Sequence, residues 1–142
     1  MSLYAGQDRE QLRAAWRESW RRRVQGLPLE PLQAQMSDLI GMHPEYMPLL
    51  DEAATSPGAA ANDGASSDAF LHLALHLALR EQLATNRPVG IAQVHRRLAA
   101  ADGDAHAAEH RMIEVLGRVL WEAQRAGRMP DEQAYLQALQ RL

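Results

Sequence analysis

The run from Ala69 to Leu79, Ala-Phe-Leu-His-Leu-Ala-Leu-His-Leu-Ala-Leu, carries no Asp, Glu, Lys or Arg. At ~100° per residue its apolar side chains point in every direction, and a helix that is hydrophobic all round belongs at the centre of a fold. The run is about half the ~20 residues that a membrane span needs. Other helices must therefore surround it. His72 and His76 sit within it, four residues apart and so on one face. An imidazole on such a helix cannot easily turn to water, and it must find a partner inside the protein. That partner is a metal ion, a haem, a carboxylate or another histidine.

The rest of the chain keeps the same helical period, with almost no strand alternation. A first helix is expected from about Gln7 to Val24, with Leu12, Trp16 and Trp20 on one face and an end at Gln25-Gly26. A second starts near Leu29, with Pro31 in its first turn, and stops before Pro44. Its core face bears Leu32, Met36, Leu39, Ile40 and His43, and Pro44 to Leu50 form a short further turn. Residues 51–67 are small and polar, and read as one long mobile loop, after which Asp68 caps the apolar helix. Asn86, Pro88 and Gly90 close that helix near Thr85. A shorter helix spans Ile91 to Ala101, and Asp104 caps a long one that ends near Ala126-Gly127. Pro130-Asp131 opens a last helix with Tyr135, Leu136 and Leu139. The expected architecture is all-α, a single-domain bundle of five or six helices over residues 1–142.

Composition excludes several chemistries. There is no cysteine, which removes disulfides, thiolate zinc sites, iron–sulfur clusters and cysteine nucleophiles together. All 15 basic residues are arginine, which rules out Schiff-base and phosphate-loop lysines and looks like the coding bias of a GC-rich bacterial genome. A net charge of −3 gives no general attraction to nucleic acid or anionic membrane. The first residues lack a basic-then-apolar leader pattern, so a soluble, cytoplasmic protein is expected.

A second histidine ladder lies on the long helix: His106, His110 and Glu114, on the border between its core and water faces. Met112, Ile113, Leu116, Val119, Leu120 and Ala123 mark the core face. Gly117 continues the border stripe and permits a close approach by a backbone or cofactor. Paired histidines on facing helices ~8–10 Å apart leave room for an ion between them. His106 to Glu114 spans a rise of ~12 Å, too long for both to share one ion. A single ion takes His72 and His76 with either His106/His110 or His110/Glu114, and His43 is an additional ligand candidate. This donor set suits zinc, ferrous iron or manganese. Paired Glu-x-x-His and H-E-x-x-H motifs are both missing, and Glu81 falls on the opposite face from His76. The rival reading is a metal-free interaction or scaffold protein with a buried network of histidines and Glu114, its arginine-rich first helix and mobile loop serving a partner, with bis-histidine haem behind it.

Arg9, Arg13, Arg17 and Arg21 recur every four residues. They offer a surface for a protein partner, although a solvated face opposite the tryptophans is the stronger expectation. His95, followed by Arg96-Arg97, reads as surface. No catalytic serine setting, phosphate loop or dinucleotide fingerprint is present, and the sequence assigns no reaction.

Several stretches together resemble a proteobacterial family of uncharacterised small helical proteins, a domain of unknown function. They are Leu29-Glu-Pro-Leu32, His43-Pro-Glu-Tyr46, Phe70-Leu-His-Leu-Ala-Leu-His-Leu-Ala-Leu79 and Glu81-Gln82, then His106-x-x-x-His110-x-x-x-Glu114-x-Leu-Gly117, Trp121-Glu-Ala-Gln-Arg125 and Pro130-Asp131. The resemblance covers most of the chain from about residue 8 and implies no activity. It places His43, His72, His76, His106, His110 and Glu114 within the family's pattern. The chain departs from that pattern at Met47, where a histidine is usual, at Arg80, where a carboxylate is usual, and at Ala69, where a proline is usual.

Overall fold

The computed structural model describes residues 6–50 and 63–142. Among them all regular structure is helical, as expected. The order is α1 (Gly6–Val24), α2 (Pro31–Gly41), a 3-10 turn (Pro44–Tyr46) running into the short α3 (Met47–Leu50), α4 (Asp63–Thr85), α5 (Ile91–Asp102), α6 (Ala105–Ala126) and α7 (Glu132–Gln140). The described helices form two compact units, one ending at Leu73 and the other spanning Ala74–Leu142, and α4 runs through the division. No helix among the described residues is long and apolar enough to cross a membrane.

In the first unit α1 packs on α2. Trp16, Leu39 and Ile40 are fully buried, and Ser19 is tied down by donating to the Ala15 carbonyl at 2.8 Å. Pro31 occupies the first turn of α2, where its missing N–H is no loss, and the Gln33 side chain accepts from the Glu30 N–H at 3.0 Å. The arginine stripe is only in part the solvated face that its spacing suggests: Arg9 and Arg21 are exposed, and Arg17 is half-buried. Arg13 is buried, and its guanidinium lies 5.1 Å from the centre of the Phe70 ring, with that of Arg17 at 5.3 Å. A planar cation on an apolar stem packs well on an aromatic face. Arg21 pairs with Glu18, Arg22 donates to the Pro28 carbonyl, and Arg23 pairs with Asp38.

Two expectations for α4 need correction. The helix begins at Asp63, five residues before the expected cap Asp68, so 63–67 are helical rather than loop. Once a packed helix is nucleated, adding a turn of small residues at its end costs little. The remainder of the expected loop, 51–62, lies outside the described residues. Nor is α4 enclosed on every side. Phe70, Leu73, His76 and Leu79 are buried, but Leu71 is 46 % exposed.

The second unit has a continuous apolar core from α4, α5, α6 and α7, including Leu79, Ile91, Leu98, Met112, Leu116 and Leu139. Its connections set the register of α6. Gly103, at φ +72°, closes α5 in the left-handed region that a side chain would resist, and its N–H bonds the Ala99 carbonyl. Asp104 then caps α6 by accepting from the His106 N–H at 3.0 Å, as its sequence position suggests. At Gly117 the close neighbour is Leu75, whose side chain would stand 3.4 Å from an added Cβ. Leu120, expected in the core, is exposed instead: beyond Leu116 only Ala123 of α6 is buried.

Candidate metal centre

The histidines gather in both units, and each group can be read from its hydrogen bonds. In the first unit, His43 is 1 % exposed at the end of α2. Its Nδ1–H donates to the Leu39 carbonyl at 2.7 Å, because a carbonyl oxygen can only accept. In the neutral ring this leaves Nε2 as an acceptor, and His72 Nε2 lies 3.1 Å from it, placed to donate. Tyr46 stacks on His43, with ring centres 5.3 Å apart, and His72 meets both rings edge-on. His43 and His72 are therefore a hydrogen-bonded pair. Their order on the chain follows from Pro44, which stops α2 and turns His43 inward at the start of the 3-10 turn.

In the second unit α4 supplies His76 and α6 supplies His106 and His110. His76 is fully buried. The ring centres of His106 and His110 are 4.2 Å apart, and His76 lies 5.3 and 5.4 Å from them. One ring nitrogen from each of these three lies within 4.8 Å of the others. In a tetrahedral zinc site, with Zn–N at ~2.0–2.1 Å, ligand nitrogens stand about 3.4 Å apart. The nitrogens thus fall within a span somewhat wider than that of a closed tetrahedral site, and imidazole donors match the preferences of zinc or iron.

The carboxylate beside this group is Glu109, which the reading of the sequence passed over. It is 5 % exposed. Its Oε1 accepts from His76 Nε2 at 2.8 Å and from Arg80 Nε at 3.0 Å, while Oε2 is 3.5 Å from His95 Nε2. Burial by itself would raise the pKa of this carboxyl. The hydrogen bonds from His76 and Arg80 and the guanidinium charge outweigh burial, and hold it down to about 2. Glu109 is thus an anion at neutral pH inside a mostly apolar unit.

The sequence did contain a signal for it. Met112 and Ile113 stand three and four residues beyond Glu109, and Leu116 seven beyond, so Glu109 projects from the middle of the core face of α6. A charged residue inside an apolar stripe must be paired. Glu114, by contrast, is exposed and borders a surface cavity of about 290 Å³ with Arg111, Arg118 and Arg141. His95 was expected at the surface, yet its side chain is 21 % exposed and turns toward Glu109. The buried anion gives it a reason to fold inward.

His72 and His76, read from sequence as one pair, thus have different partners: His72 bonds His43 and His76 bonds Glu109. The long separation between His106 and Glu114 is consistent with this division of roles along α6. A family model described as a domain of unknown function (DUF1841) matches residues 8–141. The chain belongs to this family. No curated protein and no solved structure matches it.

Proposed function

We propose that this DUF1841 protein binds a transition metal ion, zinc, iron or manganese, with His76, His106 and His110 as the core of the ligand set. The observation that carries this reading is the convergence of three imidazoles with ring nitrogens within 4.8 Å. Sequence reasoning adds His43, His72 and Glu114 as further ligand candidates. Of these Glu114 is the weakest, being exposed. Imidazole is a common ligand for zinc and iron, and the chain has no thiolate to compete. The proposed compartment is the bacterial cytoplasm, and no substrate or reaction is assigned. The arginines of α1 from Arg13 to Arg23 make contacts within the chain, so the proposal gives them no outside partner.

Untagged protein, purified without chelator and analysed for metals, should contain close to one equivalent of zinc, iron or manganese. The double variant His106→Ala/His110→Ala should contain little. His43→Ala and His72→Ala, measured in the same way, decide whether those two belong to the ligand set. One observation favours a second reading, a metal-free buried network: the hydrogen bonds His43–His72 and His76–Glu109 already satisfy one nitrogen of each ring. Substoichiometric metal in the parent, and a melting temperature that chelator and added metal both leave unchanged, would establish that reading in place of the first.

A further inference from the structure

We infer that Glu109 is a positioning residue that fixes His76 as its Nε2–H tautomer and so directs Nδ1 of that ring to the metal, with Arg80 and His95 holding the carboxylate in place. The inference rests on the metal-binding reading for the word metal, but its structural half stands on hydrogen bonds alone.

The geometry leaves one assignment. A carboxylate is an acceptor only, so the 2.8 Å contact between Glu109 Oε1 and His76 Nε2 requires the hydrogen on Nε2. Neutral imidazole has one N–H, and its lone pair is then on Nδ1, an atom buried from solvent. A metal binds the lone-pair nitrogen, so His76 must coordinate through Nδ1. Metal-ligating histidines usually donate their other N–H to a carboxylate or carbonyl, which fixes the ring and raises its basicity. Glu109 has the chemistry and the distance for that role.

Its own orientation is fixed from two helices besides its own. Arg80, one turn after His76 on α4, donates Nε to the same Oε1 at 3.0 Å, and His95 on α5 lies 3.5 Å from Oε2. His76 and Arg80 are four residues apart, and so are His106 and His110, with Glu109 adjacent to His110. The i, i+4 spacing therefore brings one ligand and one clamp from α4 onto a ligand–carboxylate cluster on α6. Anion, clamp and ligand are one unit. The 3.5 Å separation exceeds an ordinary N–H···O hydrogen bond, so His95 acts on Glu109 mainly through charge or dipole and contributes less than Arg80.

The test reads the tautomer without any metal. Long-range proton–nitrogen correlation spectra of ¹⁵N-labelled apo protein, recorded in EDTA, should show the His76 ring with a protonated Nε2 and a bare Nδ1. Glu109→Gln, whose amide both donates and accepts, should give a mixed tautomer. Its zinc affinity should fall about 10- to 100-fold, the range typical for loss of such a carboxylate. Arg80→Gln should fall in the same direction by less. An Nδ1–H tautomer in the parent overturns the inference whatever the variants do. So does an unchanged tautomer and unchanged zinc affinity in a folded Glu109→Gln. A parent that shows Nε2–H but takes up no zinc overturns the metal reading and leaves the tautomer lock standing.

Discussion

Glu109 should make the stability of this protein depend on pH in a window that can be calculated. Its folded value of about 2, against an ordinary 4.5, means that the folded state favours the ionised carboxylate. At ~1.36 kcal/mol per unit, that difference is worth about 3 kcal/mol of stability at neutral pH. Little screening discount applies, because the side chain is 7 % exposed. A group whose folded value is depressed stabilises fully above its unfolded value and loses that contribution as pH falls toward the folded one. The window is therefore from about pH 4.5 down to about pH 2, and by pH 3 about 2 kcal/mol should be gone. Glu109→Gln keeps the shape and an acceptor but has no charge to titrate. Urea unfolding of parent and variant in EDTA, at pH 7 and pH 3, isolates this term. Protonation of histidines away from Glu109 affects both proteins alike and cancels in the difference, whereas His76, bonded to Glu109, belongs to the same coupled pair and its response is part of the expected gap. The variant should be about 2–3 kcal/mol less stable at pH 7, and the gap should shrink to about 1 kcal/mol at pH 3. An equal gap at both pH values would mean that His76 and Arg80 do not hold the anion as described.

Four further outcomes follow from other parts of the structure. The Tyr135 hydroxyl donates to Gln82 Oε1 at 2.7 Å and burial pushes its ionisation upward, so Tyr135→Phe should cost about 1 kcal/mol in urea unfolding. The same raised value means that the Tyr135 contribution is complete below about pH 10 and declines above it, visible as phenolate absorbance that appears only with unfolding. Gly103→Ala meets no atom within 4 Å but forces φ +72° on a residue with a Cβ, so it should cost about 1 kcal/mol and lower the melting temperature by roughly 2–6 °C. Zinc at 100 times its dissociation constant should stabilise by ~2.7 kcal/mol, raising the melting temperature by roughly 5–10 °C in the parent and not in His106→Ala/His110→Ala.

The helices were legible in the sequence because each carries its own start and stop. Asp104 before α6, Pro31 in the first turn of α2, Gly127 after α6 and Asp131 before α7 act within one or two turns of chain, and local chemistry is what a sequence records directly. The histidines of α4 and α6 were legible for the same reason: i, i+4 spacing puts them on one face whatever surrounds the helix. The start of α4 was misread because Asp68 has the chemistry of a cap, and helix propensity alone cannot say which of two small polar residues begins a helix that packing will stabilise.

Partner choice was decided elsewhere. Sequence spacing gave Glu114 the place after His106 and His110, but a helix has two sides, and only packing shows which one is covered. Met112, Ile113 and Leu116 cover the side that holds Glu109 and leave Glu114 in water. Arg13 likewise reads as surface until Phe70, 57 residues away, offers its ring. His72 and His76 share a helix face yet bond different residues, because each partner arrives from another segment of chain. By itself the sequence determined an all-helical fold and the helices on which the histidines stand, since both follow from contacts a few residues long. Which carboxylate is buried, which imidazoles meet and which nitrogen each one offers depend on groups brought together from 29 to 33 residues apart, and only the tertiary structure set those.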